Sequence, residues 1–229
     1  MIVCALGYGY VAKYVLRELC YSGAMGIGVT SKTDAVNFKN PNLYIYPRIK
    51  IKNAIDLATH LLITAPPDNS CPILKDFERE IYQSNVKNII YFSSTGVYGN
   101  HNGCWVKENS KLKATNKVDK NRLNAENDWK RFCKKYKLNL NIIRIGAIYG
   151  PERINFANKN IIIKKNHYFS RVHVQDLARA ISKILISNNR NEIWNLVDGC
   201  PTTREDYIKE IIKIKKIKKY NFVKYESIE

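Results

Sequence analysis

The chain has no apolar run of 18 or more residues, so no membrane-spanning helix is expected. No basic leader precedes Met1-Ile2-Val3-Cys4-Ala5-Leu6, and this short apolar stretch reaches Gly7 at once. That speaks against a secretory signal, and the expected compartment is the cytoplasm. A C-x-x-C pair is also missing: Cys4, Cys20, Cys71, Cys104, Cys133 and Cys200 are scattered, several of them inside apolar segments. This usage points to reduced, mostly buried thiols rather than a disulfide framework, and no metal site is expected. Acidic residues are scarce, 20 Asp+Glu against 38 Lys+Arg, for a net charge of +18. Such an excess raises a nucleic-acid partner. It is spread along the chain, however, together with abundant Ile and Asn, the bias an AT-rich coding sequence imposes. The densest run, Lys213–Lys219, carries isoleucines at helical spacing and reads as a solvated helix face. Nucleic acid is therefore not the expected partner. No internal repeat or low-complexity linker is visible.

What is present is enough for one sizeable core: 229 residues, 45% hydrophobic. Short β-rich runs alternate with helical stretches. Strands are expected at Ile2–Leu6, Gly26–Thr30, Asn42–Tyr46, His60–Ala65, Lys87–Ser93 and Leu140–Ile145. A helix after Gly9 shows Val11, Val15 and Leu19 at four-residue spacing. Further helices are expected over Phe77–Gln83 and about Lys117–Tyr136, the latter with Ala125, Trp129, Phe132 and Tyr136 on one face. Strands separated by helices imply right-handed crossovers: an α/β Rossmann fold, a doubly wound parallel sheet with helices on both faces. The pattern changes after Pro151. Ile161–Ile163 is β-like, Val174–Ser187 amphipathic, Glu192–Val197 strand-like and Arg204–Lys216 helical. The expected division is a dinucleotide-binding core over 1–150 and a small substrate-side lobe over 151–229, within one domain.

Gly7-Tyr8-Gly9-Tyr10-Val11-Ala12 fits G-x-G-x-x-G/A, directly after a strand and opening a helix, the context in which that pattern carries meaning. Gly7 permits the tight turn, Gly9 lets a pyrophosphate approach the backbone, and Ala12 keeps helix and strand close. The free N–H groups of the helix then face the phosphates, so Gly7, Tyr8, Gly9, Tyr10 and Val11 are expected to bind the cofactor. An acidic residue closing the second strand would bond the ribose 2′-hydroxyl of NAD. Here that strand runs into Thr30-Ser31-Lys32, with Asp34 later. Ser31 and Lys32 suit a 2′-phosphate, so NADP is favoured over NAD.

These segments, with several others in order, resemble the extended short-chain dehydrogenase/reductases, the NAD-dependent epimerase/dehydratase family. Thr64-Ala65-Pro66-Pro67 resembles the loop that runs beside the cofactor. Ser93-Ser94-Thr95-Gly96-Val97-Tyr98-Gly99 resembles S-S-x-x-V-Y-G. Arg144–Pro151 resembles R-x-x-x-I-Y-G-P, and Arg171–Ala178 resembles R-x-H-V-x-D-x-A. Trp194-Asn195-Leu196-Val197-Asp198 resembles the late Y-N-V-x-D strand. The resemblance spans nearly the whole chain. It implies an oxidoreductase or epimerase acting on a sugar-nucleotide-like or other hydroxyl/carbonyl substrate. It further implies that Ala65, Pro66, Ser93 and Gly146 line the cofactor, that Ser94 orients the substrate oxygen, and that Thr95, Tyr149, Arg171 and His173 meet the substrate. Asp176 is expected to cap or anchor its helix. A homodimer through the helix carrying Arg122 is implied as well.

The chain departs from the family at one decisive place. The family helix reads Tyr-x-x-x-Lys-x-x-x-Glu, the Tyr moving a proton and the Lys lowering its pKa and holding the nicotinamide ribose. Anchored on Glu126, the spacing puts Val118 in the Tyr place and Arg122 in the Lys place. Valine moves no proton; arginine can hold a ribose or phosphate but is no acid or base near neutral pH. Tyr46/Lys50 and Tyr220/Lys224 show the spacing by chance. Ser94, Tyr98 and Arg122 are thus the catalytic candidates, with Tyr149 and His173 as further proton carriers. The alternative is a non-catalytic NADP-binding sensor or assembly module, consistent with a C-terminal part that is short for the family.

Overall fold

The computed structural model describes residues 1–31, 40–68, 71–153, 160–163, 168–187, 190–214, 216 and 221–224. Lys32 and Asp34, on which the choice of NADP turned, lie outside the described residues, as does much of the Lys213–Lys219 run.

The core elements follow the alternation read from sequence: β1 Ile2–Leu6, α1 Tyr10–Tyr21, β2 Met25–Thr30, β3 Leu43–Pro47, α2 Ile51–Leu57, β4 His60–Ile63, α3 Pro72–Gln83, β5 Asn88–Ser94, α4 Lys117–Tyr136 and β6 Asn139–Ile145. α2 was not expected. It is only two turns long, preceded by a 3-10 turn at Arg48–Lys50, and buries Ile51, Ala54 and Ile55. So short a helix gives too little periodicity to read.

Beyond β6 come β7 Ala147–Tyr149, β8 Asn160–Ile163, β9 Tyr168–Phe169, β10 Arg171–His173, α5 Val174–Ile186, β11 Ile193–Leu196, β12 Thr202–Thr203, α6 Arg204–Ile214 and β13 Asn221–Lys224. The main sheet has seven strands in the order β3-β2-β1-β4-β5-β6-β11, with every pairing parallel. Residues past Pro151 therefore do more than form a lobe. They return to the sheet as β11 beside β6 and lay α5 against α1. The remaining strands pair outside the sheet, as β7 with β10, β9 with β12 and β8 with β13.

A parallel strand covered on both faces is apolar at most positions, and the two layers show why. Side chains alternate across the sheet. Cys4, Leu6, Leu61, Ile63, Ile89 and Tyr91 face α2, α3 and α4, where Ile55, Ile81, Trp129 and Phe132 meet them. Val3, Ala5, Leu62, Ile90, Phe92 and Ile143 face α1 and α5, against Leu16, Leu19, Leu177 and Ile181. The chain leaves β1 towards β2 and β3 on one side, then crosses back to place β4 on the other. That reversal opens a crevice beyond the carboxyl ends of β1 and β4, where ligands bind in sheets of this type.

Candidate functional site

The Gly7–Gly9 turn lies at that reversal. Gly7 has φ +115°, and a Cβ on it would come within 2.7 Å of Thr64 Oγ1 and 2.9 Å of the Ala65 nitrogen. The fold itself requires glycine there. Thr64 Oγ1 donates to the carbonyls of Leu6 and Gly7, and the Ala65 N–H to Leu6 O at 3.1 Å, so the end of β4 braces the turn. Thr64 is a brace that motif reading missed. Gly9 is different. Its φ of −93° suits any residue, it is exposed, and a Cβ on it would meet nothing nearer than 3.9 Å. No described residue crowds the place of the missing side chain, and a group docking on the backbone would use that space. Gly9 is also the N-cap of α1, with no side-chain cap and no acidic residue in the first turn, so the end of the helix keeps its donors and its positive pole. The residues fit a dinucleotide's diphosphate.

The other cofactor candidates divide. Tyr10 and Val11 are half-buried at the start of α1, Ala65 is half-buried and Pro66 exposed beside the turn, and Ser31 is exposed directly after β2. Tyr8 is no ligand contact through its side chain: the ring is buried and packs over Gly28 of β2. Ser93 is likewise turned inward, its Oγ donating to Glu126 Oε1 at 2.6 Å. Gly146 is a packing glycine, since a Cβ would come within 2.8 Å of Ser170 O and 3.1 Å of Val197 Cγ1. For Tyr8 and Ser93 the motif marks a position, and the turn and the pleat decide which way the side chain faces.

Ser94 and Thr95 stand half-buried at the carboxyl end of β5. Ser94 Oγ accepts the Gly96 N–H at 3.1 Å, which fixes the hydroxyl oxygen and leaves its proton to be donated. Arg122 is half-buried on α4 and donates through Nη1 to Phe92 O at 3.0 Å. Val118 is 66% exposed in the first turn of α4. Tyr98 does not fit the part of proton donor. It is buried, its hydroxyl donates to Asn195 Oδ1 at 2.8 Å and accepts from Arg144 Nη1 at 2.9 Å, and the Arg144 guanidinium lies 5.0 Å from its ring centre.

Beneath these residues runs a buried polar network. Arg144 and Glu126, 1% and 0% exposed, pair through Nε–Oε1 at 3.0 Å and Nη2–Oε2 at 2.8 Å. Arg144 Nη1 also donates to Glu108 O at 3.0 Å, and Glu108 Oε1 accepts the Asn195 N–H at 2.9 Å. The network links β5, α4, β6, β11 and the loop holding Glu108. A charged residue inside the apolar run Leu140–Ile145 was the signal that could have found it, because a charge in a strand covered on both faces must be paired.

On the substrate side, the Tyr149 and His173 rings meet edge-on with centres 5.3 Å apart. His173, not Asp176, caps α5: its Nδ1 accepts the Gln175 N–H at 3.3 Å, while Asp176 pairs with Arg179 at 3.4 Å. Arg171 stacks on the Tyr207 ring at 5.2 Å and reaches Asp198 through Nε at 3.4 Å. Its buried Nη1 has no partner among the described residues.

The sequence profile of the NAD dependent epimerase/dehydratase family matches residues 75–196, more than half of the chain. The chain belongs to this family. No curated protein matches the sequence. Among solved structures, a conserved protein of unknown function from Silicibacter pomeroyi is 26% identical with a TM-score of 0.86, covering 100% of this chain and 83% of that one. UDP-glucose 4-epimerase from Thermotoga maritima, solved with UDP-glucose, is 17% identical at TM-score 0.77, with 99% and 86% covered. The dTDP-glucose 4,6-dehydratase of Bacillus anthracis, solved with NAD, is 16% identical at TM-score 0.76, with 99% and 85% covered.

Proposed function

We propose that this epimerase/dehydratase family member binds a nicotinamide dinucleotide, NADP in preference to NAD. It would use it in oxidoreduction or epimerisation of a hydroxyl or carbonyl group on a sugar-nucleotide-like substrate. The observation that carries the reading is Gly9: an open helix start without a side-chain cap, where a Cβ would meet no described atom nearer than 3.9 Å. The bound dinucleotide would supply hydride transfer. The chain's own residues bind and orient. The Gly7–Val11 backbone holds the diphosphate, Arg122 occupies the place from which a lysine would hold the nicotinamide ribose, and Ser94 offers its proton to the substrate oxygen. Ser31 and Lys32 follow β2, where a 2′-phosphate would lie. Arg171, whose Nη1 has no partner among the described residues, suits an anionic substrate group, with Tyr149, His173 and Thr95 as further substrate contacts.

One observation favours a second reading, a non-catalytic NADP-binding module. Val118 stands exposed where the proton carrier is expected, and the Tyr98 hydroxyl is committed on both sides. Oxidation of NADPH or NADH over a panel of carbonyl compounds and nucleotide sugars separates the two. Turnover by the wild-type chain supports the enzyme. Cofactor binding with no turnover across the panel supports the module.

A further inference from the structure

Tyr10, the first residue of α1, reaches out of the glycine turn to the segment that follows β7. Its hydroxyl donates to Pro151 O at 2.8 Å, and the Arg153 guanidinium lies 5.1 Å from its ring centre. The turn that delivers Arg153 is unusual. Gly150 has φ +152°, Glu152 has φ +63°, and the Arg153 N–H closes the turn on Gly150 O at 3.3 Å. A non-glycine residue in the left-handed region is a local cost, held here by the contact with Tyr10. Arg153 makes no ion pair among the described residues; its one specific contact is the aromatic face.

A second donor converges on the same place. A Cβ on Gly150 would come within 2.8 Å of the Tyr10 hydroxyl and 3.4 Å of His173 Nε2, so these groups flank one backbone atom. Because His173 Nδ1 accepts the Gln175 N–H, the neutral ring carries its proton on Nε2. That N–H meets no acceptor among the described residues. Among the described residues, a guanidinium without an ion pair and a ring N–H without an acceptor thus both lie near the Tyr10 side chain at the start of α1. Neither contributes to the fold by an ion pair, and both are donors suited to phosphoryl oxygens.

We propose that Arg153 and His173 Nε2–H form a second anchor for the dinucleotide's diphosphate, brought from the post-β7 segment onto the glycine turn by Tyr10. The inference rests on the cofactor reading above and assigns that site a charged contact the glycine motif does not contain. Its consequence is a specific one: the segment after Pro151 takes part in holding the cofactor, not only the substrate.

The test is calorimetric titration of the full chain and its variants Arg153→Ala, Arg153→Lys and His173→Asn with NADP⁺, NAD⁺, ADP-ribose, adenosine and UDP. Asparagine keeps the helix cap at 173 while removing the ring donor. Arg153→Ala should weaken NAD⁺ and ADP-ribose about tenfold and leave adenosine unchanged, as expected for one lost charge-assisted contact to phosphate. Arg153→Lys should retain part of the affinity, and His173→Asn should lose several-fold for the same two ligands. Equal NAD⁺ affinity in wild type and Arg153→Ala would overturn the proposal. So would an equal loss for adenosine, or a loss confined to UDP, which would assign the donors to the substrate. Binding of neither NADP⁺ nor NAD⁺ by the wild-type chain would sink the cofactor reading itself, and this anchor with it.

Discussion

Gly7 and Gly9, two positions apart, are glycines for opposite reasons. At Gly7 the left-handed backbone and the neighbouring Thr64 leave no room for a side chain, so the requirement is internal. At Gly9 the backbone is ordinary and the space is open, so the requirement points outward. His60 shows the same kind of residue-level logic in its protonation. Thr59 Oγ1 donates to Ile2 O and lies 2.8 Å from His60 Nδ1, so that nitrogen carries the ring proton. Asn139 Nδ2 donates to Asn88 Oδ1 at 2.9 Å, which turns the Asn88 amide NH₂ towards His60 Nε2 at 3.0 Å. Nε2 must accept, and a second ring proton would face a donor. Burial, and then the N-terminal ammonium, lower the His60 pKa from 6.5. The unfolded chain therefore takes up the proton first. Stability is full above about pH 6.5 and falls as pH drops towards the lower folded value. Urea midpoints should decrease between about pH 7.5 and 5.5, with part of the decrease abolished in His60→Gln. An identical pH response in the variant would show that His60 does not contribute.

At the scale of elements, the Glu126–Arg144 pair explains how α4, β5, β6 and β11 hold a common register beneath the crevice. Arg144→Met leaves a buried, unpaired carboxylate and should cost about 3–5 kcal/mol in urea unfolding. Adding Glu126→Leu should restore much of that loss; a further loss of similar size would mean that the two residues act independently. The elements differ in how far the sequence revealed them. β1, β4, β5 and β6 are continuous Val/Ile/Leu-rich runs, because a parallel strand buried on both faces admits little else, and their limits came within two residues. α4 was placed over its full span by its apolar stripe. α2 was too short to show one, and β7 and β10, three residues each, pair only with each other, outside the main sheet. β11 was visible as a strand, but strand order is set by contacts distant in sequence. For the site, adjacency misled. Ser93 and Ser94 stand side by side in the motif, yet successive strand residues point to opposite faces, which gives Ser93 to Glu126 and leaves Ser94 at the crevice.

At the scale of the whole molecule, the family fold places an open glycine turn, a serine and an arginine around one crevice, with the post-β7 segment pinned across to it by Tyr10. In the proposed reading Val118 takes the place of the family's usual proton carrier, which makes binding and turnover separate questions. Binding is the more fundamental claim, because every assigned role at the crevice presupposes the dinucleotide. Thermal unfolding of the wild-type chain and Gly9→Ala, each titrated with NADP(H) and NAD(H), tests it most directly. A ligand that binds only the folded state adds about 2.7 kcal/mol at one hundred times its dissociation constant. The account predicts a dose-dependent rise in wild-type Tm, larger for NADP(H), and a much smaller rise in Gly9→Ala despite an unchanged ligand-free Tm. A wild-type Tm indifferent to both dinucleotides would contradict it.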